Sequence, residues 1–176
     1  MSDGRSDQGE KPISDRADTA RLQWQAEMPE LSDRLDAMVI LGRLNEASHL
    51  VLTEKFAPIF KDAGLKQGEF DVLATLVRSG PPYKLMPTDL YKSTMMSSGG
   101  MTARLDRLEK AGHIERCPHP GDRRALMVCL TQQGKSLIKA MMPDYVDCQT
   151  QLTAGLTAEE RETLAGLLDK FLNNIR

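Results

Sequence analysis

The sequence predicts a mainly helical fold that carries a small β wing, and three observations predict it. First, Met101, Leu105 and Leu108 recur at i, i+4 and i+7, the spacing of one helix face. Small residues lead that segment (Ser97, Ser98, Gly99, Gly100), and Gly112 closes it with a left-handed cap. Second, two strand-like runs follow, Ile114 to Cys117 and Leu126 to Leu130, the latter alternating Leu126, Val128 and Leu130 on one side. Their connection, His119 to Arg124, ends in two adjacent arginines. Third, amphipathic helices remain at both ends of the chain that a small wing domain cannot bury alone. A helix with a small polar leading end, followed by a basic-tipped hairpin, is the layout of a winged helix-turn-helix domain. Such a helix fits a DNA major groove while the wing arginines reach backbone or minor groove.

Taken in order, residues 1 to 14 are polar and rich in Gly, Ser and Asp, and are expected to form a disordered tail. Residues 15 to 64 read as N-terminal helices. Ala17, Ala20, Leu22, Trp24 and Met28 mark the first, which Pro29 interrupts. Asp33 to Ala63 is the second, with Pro58 inside it to bend or divide it and Gly64 to end it. Residues 65 to 134 are assigned to the DNA-binding domain. Its first helix runs from Gln67 to Ser79, Lys84-Leu85 supplies a short third strand, and Thr88 to Ser93 forms a short helix before the recognition helix. Residues 135 to 176 hold dimerisation helices within a segment from Gln132 to Gln151 and a last helix opened by the capping box Thr157…Glu160. Pairing of these helices between two copies gives a homodimer with two recognition helices for two half-sites.

Charge supports this assignment locally. The formal net charge is only −2, yet Pro81 to Gly134 holds eight Lys/Arg against five Asp/Glu, a local +3. Met1 to Glu30 holds four against seven, a local −3. Phosphate attraction acts locally, so a basic module inside an acidic protein suits DNA contact. Ser97, Ser98, Gly99, Thr102 and Arg107 of the recognition helix and Asp122, Arg123 and Arg124 of the wing are the candidate DNA-contacting residues. No apolar run is long enough for a membrane span and no signal-peptide pattern opens the chain, so a cytoplasmic location is expected. Cys117, Cys129 and Cys148 lack CxxC spacing and are read as packing residues, while His49, His113 and His119 show no metal-ligand spacing. Neither a nucleophile–base motif nor a phosphate-cradling Gly loop is present, so no enzyme activity, cofactor or metal is expected.

With these residues placed, the chain resembles the MarR family of transcriptional regulators from about Leu35 onward. The blocks that carry the resemblance are FDVLATL (Phe70 to Leu76), LDRLEKAGHIER (Leu105 to Arg116) and GDRRALMVCLTQQG (Gly121 to Gly134). The family's wing pattern, Asp-x-Arg and then Leu-Thr-x-x-Gly, falls on Asp122, Arg124, Leu130, Thr131 and Gly134. The resemblance implies that Arg124 enters the minor groove and that Asp122 holds it in position. Lys66 and Met86 depart from the family, which often places a capping Thr or Ser there.

The N-terminal part, with Trp24 to Leu31 and then Ile40 to Leu44, is similar to the urate-responsive branch of that family. That likeness implies a ligand set of Trp24, Asp71, Arg78 and Arg104 for a small anionic effector such as urate or xanthine. Spacing alone puts Asp71, Thr75 and Arg78 opposite the apolar face of Phe70, Val72, Leu73, Leu76 and Val77, where charges are ordinarily solvated. Asp71 and Arg78 share that side about 10 Å apart, too far for an ion pair. Arg104 borders the inward face of the recognition helix. The expected function is a ligand-responsive repressor released from a pseudo-palindromic operator by urate or a related purine or aromatic anion. The alternative is the same fold acting as a cysteine-based redox sensor.

Overall fold

The computed structural model describes residues 16–94 and 100–176, arranged as two compact units, Met1–Leu52 and Thr53–Arg176. The division falls at 52/53, and the C-terminal helices belong to the same unit as the winged-helix elements.

The first unit holds α1 (Arg16–Glu27), a 3-10 turn (Pro29–Arg34) and α2 (Asp36–Leu50). Pro29 opens the 3-10 turn, as a residue without an N–H is suited to do. α1 and α2 pack closely where Gly42 meets Ala17: a Cβ on Gly42 would lie 3.2 Å from the Ala17 Cβ. Asp18 pairs with Arg43 at 2.6 Å across the same seam. Few apolar residues here are buried (Ala17, Leu35, Val39), whereas Leu22, Trp24, Ile40, Leu41 and Leu44 remain exposed.

A π-helical turn, Val51–Phe56, leads into α3 (Ala57–Asp62), so Pro58 divides the long helical segment as its sequence suggested. Proline removes one amide donor and its ring crowds the carbonyl four residues back, and a widened turn relieves that clash. α4 (Gln67–Arg78) is the centre of the second unit. Phe70 stacks on Phe60 with centroids 4.8 Å apart, both rings pack with Tyr145, and Phe56 meets Phe60 and Tyr145. Val72, Leu73 and Leu76 pack into the same core as Leu90, Leu105, Leu108, Ile114, Val128 and Ile138. The side of α4 opposite its apolar face is only partly solvated: Arg78 is exposed, Asp71 is half-buried and Thr75 is only 2% exposed. Neighbours pack α4 on more than one side, among them the elements at 87–93, 101–110, 122–130 and 132–152, which its own periodicity does not reveal.

The remaining elements are β1 (Lys84–Leu85), α5 (Pro87–Ser93), α6 (Met101–Lys110), β2 (Ile114–His119), β3 (Asp122–Leu130), α7 (Gln132–Leu152) and α8 (Ala158–Ile175). The strands form one antiparallel sheet in the order β1-β3-β2. Both wing strands are longer than the sequence suggested. Asp122, Arg123 and Arg124 belong to β3, and only Pro120-Gly121 is left between the strands, because His119 pairs directly with Asp122. Cys117 and Cys129 correct the packing reading: they form a disulfide across the two strands. α8 opens on the expected capping box, with Glu160 N–H donating to Thr157 Oγ1 at 3.2 Å and Thr157 N–H to the Glu160 carboxylate at 2.8 Å. No residue of α8 is buried.

Candidate nucleic-acid interface and ligand cleft

α6 buries Leu105 and Leu108 and exposes Thr102, Ala103, Asp106 and Lys110. Gly100 precedes it in the left-handed conformation (φ 80°), which glycine takes without a Cβ penalty. Ser97, Ser98 and Gly99 lie outside the described residues. Arg107, expected to contact DNA, directs its Nε to Glu69 Oε1 at 2.5 Å while its side chain stays 45% exposed. Glu69 is 5% exposed, and its other oxygen accepts the Lys66 N–H at 2.8 Å. One buried carboxylate thus supplies the N3-to-N-cap half of a capping box at the start of α4, leaving the Ser/Thr half unfilled, and anchors α6 to α4.

A second clamp joins α6 to the wing. Arg116 of β2 donates to Asp106 at 2.5 Å and also to Glu109, one turn further along α6. These two carboxylates raise the Arg116 pKa, Asp106 most strongly, so the guanidinium stays charged. At the wing tip, Asp122 Oδ1 accepts the Arg124 N–H at 2.9 Å and the Gly121 N–H donates to His119 Nδ1 at 3.1 Å. Arg124 is exposed, and Arg123 lies beside it on β3. Thr131 locks the wing to α7: its hydroxyl donates to the carbonyls of Gly112 and His113 and accepts the Gly134 N–H at 3.1 Å.

Three of the candidate ligand residues lie on or beside α4. Arg78 lines a cleft of about 320 Å³ with Thr75, Ser79, Leu85 and Ser93. Its Nη2 donates to Thr75 Oγ1 at 3.0 Å and to the backbone carbonyl of Ser93, the last residue of α5. Two turns earlier, Asp71 lies near Tyr145; burial first, and then the Asp71 charge, raise the Tyr145 pKa. Arg104 lies across Gly68, one turn before Asp71, where an added Cβ would come within 2.5 Å of its Nε. Arg104 and Asp71 therefore serve the first half of α4, and Arg78 the second. Trp24 stands on α1 of the first unit and is 47% exposed. A larger cleft of about 570 Å³ runs between Lys61, Lys66, Glu69, Arg107 and Lys110, but its arginine is committed to Glu69. Sequence reasoning did not assign roles to Glu69 and Arg116. The available signals were a glutamate three residues after the α4 cap and an i, i+3 carboxylate pair, Asp106 and Glu109, opposite a strand arginine.

Among the described residues no group of His, Cys, Asp or Glu gathers to hold a metal ion, and no helix is long and apolar enough to cross a membrane. A three-stranded wing clamped to a recognition helix defines a winged-helix DNA-binding transcriptional regulator. Comparison with known proteins agrees. The MarR family model matches residues 63–125. The transcriptional regulator PecS of Dickeya dadantii is 35% identical over 157 residues, covering 88% of this chain and 93% of PecS. The chain belongs to the MarR family. Among solved structures, a cysteine mutant of MarR from E. coli, complexed with operator DNA, is 27% identical with a TM-score of 0.66, over 85% of this chain and 97% of that one. Bordetella bronchiseptica BpsR, whose DNA binding is regulated by 6-hydroxynicotinic acid, is 25% identical with a TM-score of 0.65, over 74% and 91%.

Proposed function

We propose that this regulator is a homodimeric repressor that binds a pseudo-palindromic operator through α6 and the wing. Urate, xanthine or a related purine or aromatic anion in the Arg78 cleft releases it. The observation that carries this reading is the bridge Arg78 makes from Thr75 to the Ser93 carbonyl. Ser93 ends α5, and the chain runs from there through Thr94 towards α6. An anion offers the guanidinium a charge-assisted, bidentate partner that a neutral carbonyl cannot match. Occupancy of the cleft would draw Arg78 off Ser93 and free the end of α5, shifting the approach to the recognition helix. The ligand thereby favours the released state, as any effector must. BpsR, regulated by a heteroaromatic carboxylic acid, supports an anionic effector class. Two copies are supported by the exposed apolar row of α8, Leu164, Leu167, Leu168, Leu172 and Ile175.

The test is a titration of the protein on its own upstream region, with and without urate, for wild type and Arg78→Ala. Wild type should be released by urate. Arg78→Ala should bind bare DNA at most several-fold more weakly and be indifferent to urate. Release of Arg78→Ala at the wild-type urate concentration would overturn the cleft assignment.

A further inference from the structure

We infer that His119 is a DNA contact of the wing tip, holding its Nε2–H as a fixed, uncharged donor on the hairpin that also carries Arg124. The inference rests on the operator-binding reading and is independent of the Arg78 cleft. His119 falls between the two sequence blocks, ending at Arg116 and beginning at Gly121, that carry the family resemblance, so that resemblance assigns it no role. It closes β2 and pairs directly with Asp122, leaving Pro120-Gly121 as the whole of the tip beyond it.

Two contacts fix the ring. The Gly121 N–H donates to His119 Nδ1 at 3.1 Å. A ring nitrogen that accepts a hydrogen bond carries no proton, so the proton is on Nε2 and the donor is uncharged. The ring also rests over Gly121, where an added Cβ would lie 3.6 Å from Cε1 and 3.7 Å from Nδ1. With the Nδ1 side taken by the turn, the opposite edge of the ring, Nε2–Cδ2, is left to whatever approaches the tip. Among the described residues none accepts a hydrogen bond from Nε2. Asp122, the strand partner of His119, turns its Oδ1 to the Arg124 N–H at 2.9 Å instead.

A half-buried surface donor of this kind is served by solvent until the wing docks. Docking on a duplex removes that solvent, and a donor left without an acceptor then costs more than one that is rebonded. The surroundings favour a nucleic acid. Pro120, Gly121, Asp122 and Arg124 are exposed, and Pro81 to Gly134 carries a local charge of +3. A duplex offers acceptors at its phosphate oxygens and, on the minor-groove edge, at adenine N3 and thymine O2, whereas guanine adds a donor there. One N–H held in one direction tells these edges apart. Because the ring is held before DNA arrives, little side-chain freedom remains to be lost on binding.

The full chain is titrated by fluorescence anisotropy on its own upstream DNA at several salt concentrations, as wild type, His119→Asn, His119→Gln and Arg124→Ala. Asparagine keeps the turn, because its side-chain oxygen accepts the N–H two residues on, but nothing in it reaches the Nε2 position. Glutamine does the reverse: it carries an amide N–H outward and gives up the turn. His119→Asn should therefore leave hydrogen exchange of the Gly121 amide as in wild type, yet bind about tenfold more weakly. The lost donor is uncharged, so the salt slope of His119→Asn should match wild type, whereas Arg124→Ala should lower it by about one per bound protomer. His119→Gln should recover part of the affinity that His119→Asn loses. Diaminopurine in place of adenine beneath the wing adds an amino group in the minor groove alone. If it weakens wild type and not His119→Asn, the acceptor is a minor-groove base edge; if it affects neither, the acceptor is a phosphate; both support the contact. Equal affinity of wild type and His119→Asn would overturn the proposal. So would weaker binding by His119→Asn accompanied by faster exchange at Gly121, which would make the ring a turn-former only. Absence of salt-dependent DNA binding by wild type would overturn the operator-binding reading itself, and this proposal with it.

Discussion

Gly134→Ala tests the junction between wing and α7. Gly134 lies in the first turn of α7, buried, with its N–H bound by Thr131 Oγ1. A Cβ there would stand 3.0 Å from both the His113 carbonyl carbon and Leu130 Cδ1, and would overlap the His113 carbonyl oxygen outright. That oxygen cannot step aside cheaply, because it accepts from the Thr131 amide at 3.1 Å and the Thr131 hydroxyl at 3.0 Å. Moving it gives up two hydrogen bonds of about 1 kcal/mol net each and adds about 1 kcal/mol of residual crowding. Alanine regains about 1 kcal/mol of helix propensity, leaving about 2 kcal/mol of net destabilisation. With a urea m-value of about 2 kcal/mol/M, the unfolding midpoint should fall by about 1 M at fixed protomer concentration. Gly166→Ala is the control: an added Cβ on this exposed α8 position meets nothing within 4 Å, so it should hold or raise the midpoint. A Gly134→Ala midpoint equal to wild type, or above it, would refute the reasoning.

Three other substitutions test the clamps and the core. Glu69→Ala removes both the acceptor for the Lys66 amide and the Arg107 partner, and should cost about 2 kcal/mol in the same urea assay. A loss under about 0.5 kcal/mol would show that the buried carboxylate anchors nothing. Arg116→Ala frees Asp106 and Glu109 at an exposed site, so stability should drop by no more than about 1 kcal/mol. Operator affinity, read by anisotropy, should fall by more than that loss of stability accounts for, since wing and recognition helix are uncoupled. Tyr145, whose pKa is raised from the usual 10.0, holds its proton more tightly folded than unfolded. Its contribution is complete below pH 10 and disappears as pH climbs through the folded value, so wild type should lose stability relative to Tyr145→Phe only above about pH 10. A stability difference that is flat across that window would contradict the burial assigned to the phenol.

Local rules carried the sequence reading a long way. The recognition helix with its Gly112 stop, the strand seed at Lys84-Leu85, the Pro58 break and the Thr157…Glu160 box all depend on residues near one another in the chain, and all are present. What escaped depends on distant partners. Glu69 and Arg107 are 38 residues apart, and nothing in either neighbourhood announces their ion pair. Thr75 looked solvated because helix periodicity reports one apolar face and cannot count how many elements surround a helix. Cys117 and Cys129 looked like ordinary packing residues because their pairing needs the strand register. The wing arginines were placed in a turn because Pro120, Gly121 and Asp122 are turn-forming residues, yet the hairpin needed only Pro120-Gly121.

In the proposed dimer, the bare flank of α8 would make the protein's abundance an input in its own right. An 18-residue helix that buries nothing of its own gains little from propensity and needs its apolar row covered to be stable. In the proposed dimer a twin copy covers it, so each tenfold dilution shifts assembly by about 1.4 kcal/mol. Where protomers predominate, operator occupancy falls with the square of their concentration rather than in proportion to it. A cell that divides faster than it replenishes this regulator would therefore lift control of the target promoter in a steep step, with no effector bound at all.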